Sequence, residues 1–488
     1  MEQIYSIRPL IAVLISLVVV PIIIASGNRP NWREAWTFLA GIIKFGIVAS
    51  MVSGVLKGHI YYCRLVKIAP GLSIGFRVDG LGLTFALVAS FLWIVTSLYS
   101  IGYMRGLDEH SQTRFFSFFA VALSSTIGVA FASNLLTMYL FYELLSLSTY
   151  PLVTHHQDEE AKISGRKYLT YILSTSIGLV LPAMIVCYHI AGTLDFTHGG
   201  FLAGKASPLL LSILLLMFVF GFAKAAIMPL HSWLPAAMVA PTPVSALLHA
   251  VAVVKVGVFS IIRIFTGVYG VSLIKALHMG TVIAYICAIT IVVGSLIAMS
   301  QDELKRRLAF STISQLSYIV LGISLLTPRG MIGGIIHIVM HAFGKITLFF
   351  GAGAIFVATG KKYISELDGL GKKMPLTFLA FFIGALSVIG LPPTGGFYSK
   401  WYLVLGCVDA HQIGLLIVLL LSSFLNAVYF LPIVFRAFFG SPSDHEEIGV
   451  REAPKCCVIP MIVTSVISIL LFFYQGVFYR LISIGLKF

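Results

Sequence analysis

Long apolar runs alternate with short polar breaks along the whole chain, and this pattern sets the first expectation. The runs lie near residues 8–26, 37–56, 80–101, 115–133, 135–153, 165–191, 208–240, 243–265, 273–299, 307–326, 331–357, 374–406, 412–437 and 458–478. Each is at least about as long as the roughly 20 residues a helix needs to cross some 30 Å of hydrocarbon. Backbone amides cannot go unpaired in lipid, so the spans are helices or a closed barrel, and uninterrupted runs of this length exclude the alternating strands of a barrel. The predicted fold is an all-α polytopic membrane protein of about 14 transmembrane helices. The longest polar stretch, Gly440 to Lys455, reads as a loop, so no soluble domain interrupts the series.

Proline cuts two of these spans. Pro229 and Pro235 fall in the seventh, and Pro392 and Pro393 in the twelfth. Proline withholds a donor and frees a carbonyl, so each break exposes backbone polarity within the membrane. The breaks are an odd number of spans apart, so the two broken helices run in opposite directions. That is the geometry of inverted repeats, with residues 111–268 (helices 4–8) and 269–440 (helices 9–13) as the halves. Residues 1–110 then hold helices 1–3, and 441–488 a loop and helix 14.

Composition agrees with a lipid-embedded chain. Of 488 residues 58% are hydrophobic and 11% charged, and the mean hydropathy is +0.98, whereas soluble domains carry about a quarter charged residues. The net charge of +14 does not indicate a nucleic-acid partner, because the basic residues sit at span ends without interleaved aromatics. Arg105, Arg114, Arg166, Lys167, Lys305, Arg306 and Arg307 fall in odd-numbered loops. By the positive-inside rule these loops are cytoplasmic and both termini face out. The first run reads as a retained span rather than a leader peptide.

The six cysteines show no C-x-x-C spacing and read as free thiols. No nucleotide-binding glycine pattern, P-loop or H-E-x-x-H is present, so no cofactor, metal or catalytic residue is expected in the chain itself. The runs His155 to Glu160 and Asp444 to Glu447 look superficially like metal ligands, but they lack a rigid ligand spacing and are not read as a metal site.

Candidate chemistry lies in buried charge. An ionisable group at mid-bilayer costs about 2.5 to 3.5 kcal/mol on insertion scales, so each needs a partner or a purpose. Glu143 lies in the fifth span, Lys224 beside the Pro229 break, Lys255 in the eighth span, Lys345 in the eleventh, and Lys400 just past Pro392 and Pro393. Glu143 and Lys224 are candidates for an ion pair. His337, His341 and Lys345 follow at i, i+4 and i+8, which places them on one face of a helix. Titratable groups so aligned can hand a proton along through water. His249 is not on the face of Lys255 but could link helices. Lys44, outside the repeats, is expected to snorkel or to pair with a neighbour.

The residues match a family pattern. The segments SNLLTMYLFYELLSLSTYPLV around Glu143, FGFAKAAIMPLHSWLPAAMVAPTPVSALLHA around Lys224, QDELKRRLAFSTISQLSY, HIVMHAFGKITLFF around Lys345 and GLPPTGGFYSKWYL ending near Lys400 resemble the antiporter-like subunits shared by Mrp-type cation/proton antiporters, respiratory complex I and membrane-bound hydrogenases. The resemblance implies fourteen helices, two inverted five-helix repeats and broken helices 7 and 12. It further implies a proton path over Glu143, Lys224, Lys255 and Lys400, with His249, His337, His341 and Lys345 at positions found in many members. One branch carries glutamate where this chain has Lys400. Length and the GTLDF segment after the sixth span look nearest to the D-type component of Mrp antiporters.

The expected function is therefore proton transport, with sodium left open as a second cargo, by one subunit of a multi-subunit membrane complex. It would work as an Mrp-type antiporter or as the pumping subunit of a complex I-like NADH:quinone oxidoreductase or hydrogenase. A self-sufficient solute carrier would need polar groups converging on one pocket, and these form a line instead. A passive scaffold would have little reason to bury so many ionisable groups.

Overall fold

The computed structural model describes residues 2–441 and 451–487, with the side chains of Leu248 and His249, and so the expectation for His249, outside the described residues. The Asp444 to Glu447 run also lies outside them. Among the described residues nine helices are long and apolar enough to cross a bilayer. They are α1 (Arg8–Ala25), α2 (Pro30–Leu56, including a short break), α3 (Gly80–Gly106), α4 (Gln112–Ala130), α6 (Glu159–Ala191), α9 (Met279–Ser300), α11 (Pro328–Thr359), α14 (Ile413–Phe439) and α15 (Lys455–Phe473). Between them run α5 (Leu135–Val153), α7 (Pro208–Gly221), α8 (Val253–Arg263), α10 (Leu304–Ser324), α12 (Pro375–Ile389), α13 (Gly395–Asp409) and α16 (Gly476–Leu486).

The helix starts follow capping chemistry. Asp79 accepts from the Gly82 amide at 2.9 Å and Asn134 from the Thr137 amide at 2.8 Å, while proline fills the first turn of α1, α7, α11 and α12. Helix α11 is the spine: it packs against α3, α10, α12, α13 and α15, and its residues from Gly330 to Ile355 are buried. The apolar residues facing lipid are elsewhere, for example Leu209, Ile289, Ile417 and Phe424.

Two expectations need correction. The chain is not wholly helical: β1 (Glu2–Tyr5) pairs in parallel with β2 (His59–Ala69), which pairs antiparallel with β3 (Leu72–Val78), with Tyr62 opposite Arg77. The β2 segment HIYYCRLVKIA is rich in β-branched and aromatic residues, and Gly71 at φ +69° makes the turn. Arg64 and Lys67 make this stretch too polar to span, so it forms its ladder in the loop that the apolar pattern left blank. The second helix also starts at Pro30 rather than near residue 37, because Arg33 and Glu34 are buried and Glu34 accepts from Arg105 at 2.6 Å.

Lys44 does not snorkel. It is fully buried, donates to Ser16 Oγ at 2.5 Å and lies 4.9 Å from the centre of the Trp93 ring. The pairing alternative describes it. A second buried charge contact joins the ends of α3 and α8, where Arg263 Nη1 donates to Asp79 Oδ2 at 2.6 Å. All six cysteines are free thiols.

Candidate functional site

Both proline breaks are present. After α7 the chain makes a short 3-10 turn, Ala223–Ala225, and Ala226 takes a left-handed φ of +54° before the helix resumes at Trp233. Lys224 lies in this break, and its side chain reaches out of it to α5. The Trp233 indole N–H donates at 3.0 Å to the Ala223 carbonyl, which also accepts from the Ala226 amide at 2.9 Å. The second break runs between α12 and α13, at Gly390 to Thr394. The eighth predicted span is interrupted as well: a π-helical turn, Leu247–Val251, is followed by Ala252 at φ −111° and ψ −81°, directly before α8 and Lys255.

Lys224 is completely buried and donates to the Tyr142 carbonyl and, at 2.8 Å, to Ser146 Oγ. Its ammonium also stands 3.4 Å from the centre of the Tyr142 ring. The expected Glu143 ion pair is not closed: neither carboxylate oxygen of Glu143 has a hydrogen-bond partner, and Lys224 turns instead to the residues on either side of Glu143 in α5. A cation held by a carbonyl, a hydroxyl and a ring face beside an unpaired carboxylate can switch partners by a rotamer change.

Glycine lets the next helix reach this break. A Cβ on Gly257 would lie 2.2 Å from the Ala225 nitrogen and 2.4 Å from the Lys224 carbonyl carbon. Helix α8, with Lys255 two residues earlier, therefore packs directly on the Lys224 turn. Gly257→Val is expected to push the turn away from Tyr142 and Ser146 and to cut ion transport at least about tenfold, since a displacement of about 1 Å can cost about a hundredfold in a positioned site. Flux measured at equal subunit incorporation checks this.

The second half of the site is a buried line of polar groups with gaps between some neighbours. Lys255 Nζ and His341 Nδ1 are 2.7 Å apart. The rings of His341 and His337 follow at 5.7 Å between centres. His337 Nδ1 lies 2.8 Å from Ser399 Oγ and its Nε2 lies 3.1 Å from Gln315 Oε1. Tyr318 stacks on His337 at 5.6 Å, and Lys400 Nζ stands 4.8 Å from the centre of that same Tyr318 ring. Lys400 Nζ donates to the Ile389 carbonyl, freed by the break, at 3.0 Å and to Ser423 Oγ at 3.1 Å.

The chemistry of these groups allows them to hold and exchange protons. Two bases 2.7 Å apart share one proton, because a second would set like charges against each other at about 6 kcal/mol for an effective dielectric of about 20. Since the Gln315 carbonyl oxygen only accepts, His337 Nε2 carries hydrogen and Nδ1 faces the Ser399 hydroxyl. That hydroxyl also points to the Gly396 carbonyl at 3.0 Å, so it can turn from one acceptor to the other as His337 loads and unloads. The remaining steps, from His341 to His337 and on to Lys400, need an intervening water or a side-chain swing.

Lys345, expected in the same line, stands apart from it. Its Nζ has no hydrogen-bond partner and rests 5.2 Å from the Phe430 ring centre. Gln315, Tyr318, Ser399, Tyr142 and Ser146 are not singled out by the sequence reading. A signal exists for Gln315, a lone amide within an apolar span, and for Ser146, one helical turn beyond Tyr142.

Helices broken around buried lysines, joined by a histidine-bearing helix, define an antiporter-like membrane subunit. The chain belongs to the NADH:quinone oxidoreductase/Mrp antiporter transmembrane family, which matches residues 132–426, and residues 69–116 match the N-terminal part of complex I chain 5. Among curated relatives, NADH-quinone oxidoreductase subunit N of Desulforudis audaxviator is 32% identical over 93% of this chain and 94% of its own. Among solved structures, the Mrp complex of Dietzia sp. DQ12-45-1b contains a chain of the same fold, with a TM-score of 0.88 and 22% identity over 99% of this chain and 97% of that one. A chain of the membrane-bound sulfane sulfur reductase, an archaeal respiratory membrane complex, matches equally, at 0.88 and 23%.

Proposed function

We propose that the chain moves protons across a bacterial or archaeal cell membrane as one subunit of a multi-subunit complex. The observation that carries this reading is the buried line Lys255, His341, His337, Ser399, Tyr318 and Lys400, which runs from one helix break to the other. A proton reaches Glu143 and Lys224, passes to Lys255 through the contact of α8 with the Lys224 turn, crosses along α11 and leaves by Lys400. Lys345 acts as a side charge that biases the line, and His249 as a link into Lys255. Pro229, Pro392 and Pro393 make the breaks beside Lys224 and Lys400, and at the second of them Lys400 meets the freed Ile389 carbonyl.

The architecture that best fits is fourteen spans with inverted repeats at 111–268 and 269–440 and both termini outside. Under that topology the cytoplasmic inlet is a cavity of about 760 Å³ lined by Glu109, His156, Asp158 and Lys305, which reaches Tyr103 and Thr242 at the start of the eighth span. The reading as a D-type Mrp antiporter component draws support from the shared fold. The alternative, a pumping subunit of a complex I-like or hydrogenase-like oxidoreductase, draws equal support from the Desulforudis relative and from the sulfane sulfur reductase fold. The complex, purified with its native partners and reconstituted in proteoliposomes, tests both. Proton flux driven by a sodium or potassium gradient alone supports the antiporter, and flux that requires an electron donor and acceptor supports the pump.

A further inference from the structure

The structure assigns a further site outside the relay: we propose that Glu109, His110 and His155 bind one divalent transition-metal ion of the zinc class, with His156 behind Glu109 as its hydrogen-bond partner. The His155 run lacks ligand spacing on its own. The fold completes it with residues from another loop, because the turn between α3 and α4 brings Glu109 and His110 against the end of α5. One ligand atom from each of Glu109, His110 and His155 lies within 4.8 Å of the others. Glu109 Oε2 is 3.7 Å from His155 Nε2 and 3.8 Å from His110 Nδ1, and its Oε1 is 3.2 Å from His156 Nε2. Ligand atoms about 2.0 to 2.1 Å from a tetrahedral zinc ion stand about 3.4 Å apart, so the two Glu109 contacts need to close by a few tenths of an ångström and the widest pair of the set, at up to 4.8 Å, by up to about 1.4 Å, which side-chain rotation supplies.

The decisive feature is His155. Its side chain is fully buried, yet neither ring nitrogen has a hydrogen-bond partner, which is a costly state for a polar group unless something binds it. With neither nitrogen engaged, the neutral ring has a lone pair free for a metal ion. His110 is prepared in the complementary way. Its Nε2 lies 3.1 Å from the His155 carbonyl, to which Nε2–H can donate, and this leaves Nδ1 as the lone pair facing Glu109. Such a carbonyl contact behind a ligating imidazole fixes the tautomer and the ring direction. Glu109 supplies the charge, and its Oε1 is engaged by His156 while Oε2 faces His110 and His155. Other charges face the cluster. Arg114 donates to the His155 carbonyl at 2.7 Å and Lys305 approaches from α10, both opposing a cation, while Asp158 favours one. Borderline N and O donors of this kind suit zinc, cobalt or nickel better than magnesium or calcium.

Glu109 and His156 also line the 760 Å³ cavity, so a bound ion would sit at its rim. The consequence for transport rests on the function proposed above: metal should slow proton uptake through that inlet. Metal binding itself does not depend on that reading. The test is cobalt titration of the full chain, purified without a polyhistidine tag, followed by its visible absorption and by metal analysis. One equivalent with a tetrahedral cobalt spectrum is expected, displaced by zinc and weakened at least about tenfold in His155→Gln and in His110→Ala. His110 is half-exposed, so its variant decides the matter should the buried substitution prevent folding. Failure to bind cobalt at micromolar concentration, or binding unchanged in His110→Ala and Glu109→Gln, would overturn the site. Cobalt bound without an effect on proton flux would leave the site standing and refute its place at the inlet.

Discussion

Lys224→Ala is expected to abolish net ion transport, to below about a hundredth of the wild-type rate, while the complex still assembles. Lys224 is the one ammonium in the first break, and its carbonyl, hydroxyl and ring contacts all come from α5, around Glu143. Removing it leaves Glu143 without a cation to exchange with and leaves α8 packed on a turn with no titratable group. The fold should tolerate the change, because deleting a buried ammonium removes its insertion cost of about 2.5 to 3.5 kcal/mol. The variant loses only the Ser146 and Tyr142 contacts in return. The measurement is proton flux in proteoliposomes beside a quantitative check of subunit content. Flux near wild type with normal assembly would remove Lys224, and with it the first half of the path.

Lys400→Ala should be the next most damaging substitution, and it separates a through-path from a half-path. Lys400 is the last group of the line and is held by a carbonyl that exists as a free acceptor only because Pro392 and Pro393 break the helix. Gly390, at φ +90°, makes room for it: a Cβ there would lie 2.6 Å from Lys400 Cδ. The alanine variant is expected to assemble and to lose at least about nine-tenths of net transport, the lower end of what a positioned proton-transfer group contributes. Lys400→Glu should recover part of it, since a carboxylate can also carry a proton and can accept from Ser423. Wild-type flux in Lys400→Ala would place the exit elsewhere, for instance in a neighbouring subunit.

Much of this site is legible in the sequence because membrane physics makes charge conspicuous. A lysine or a proline pair in an apolar run is costly, so Lys224, Lys255, Lys345, Lys400 and both breaks stand out from the residue pattern alone. Periodicity puts His337 and His341 on one face, and the structure places both in the line. The rest depends on information that periodicity lacks. The break before Lys255 comes from a π turn with no proline, in a helix buried all round, so no polar stripe marks where it slips. Lys345 shares the face of His341, but the rotamer directs its ammonium toward Phe430. Lys224 takes the Tyr142 carbonyl over Glu143, a choice between neighbours in one helix that only side-chain geometry decides. The strands at β2 and β3 are hidden because a polar, half-exposed ladder looks like a loop when the search is for spans. Glu109 and His155 lie in loops distant in sequence, and only the fold brings them together.

The central claim is that protons cross laterally through the Lys255–His341 contact. Its most direct test is proton uptake by proteoliposomes holding the complete complex with Lys255→Ala, a change two residues from the Gly257 contact that leaves that contact untouched. The account predicts net uptake below about a tenth of wild type with the subunit present in full amount. Uptake at the wild-type rate would contradict it.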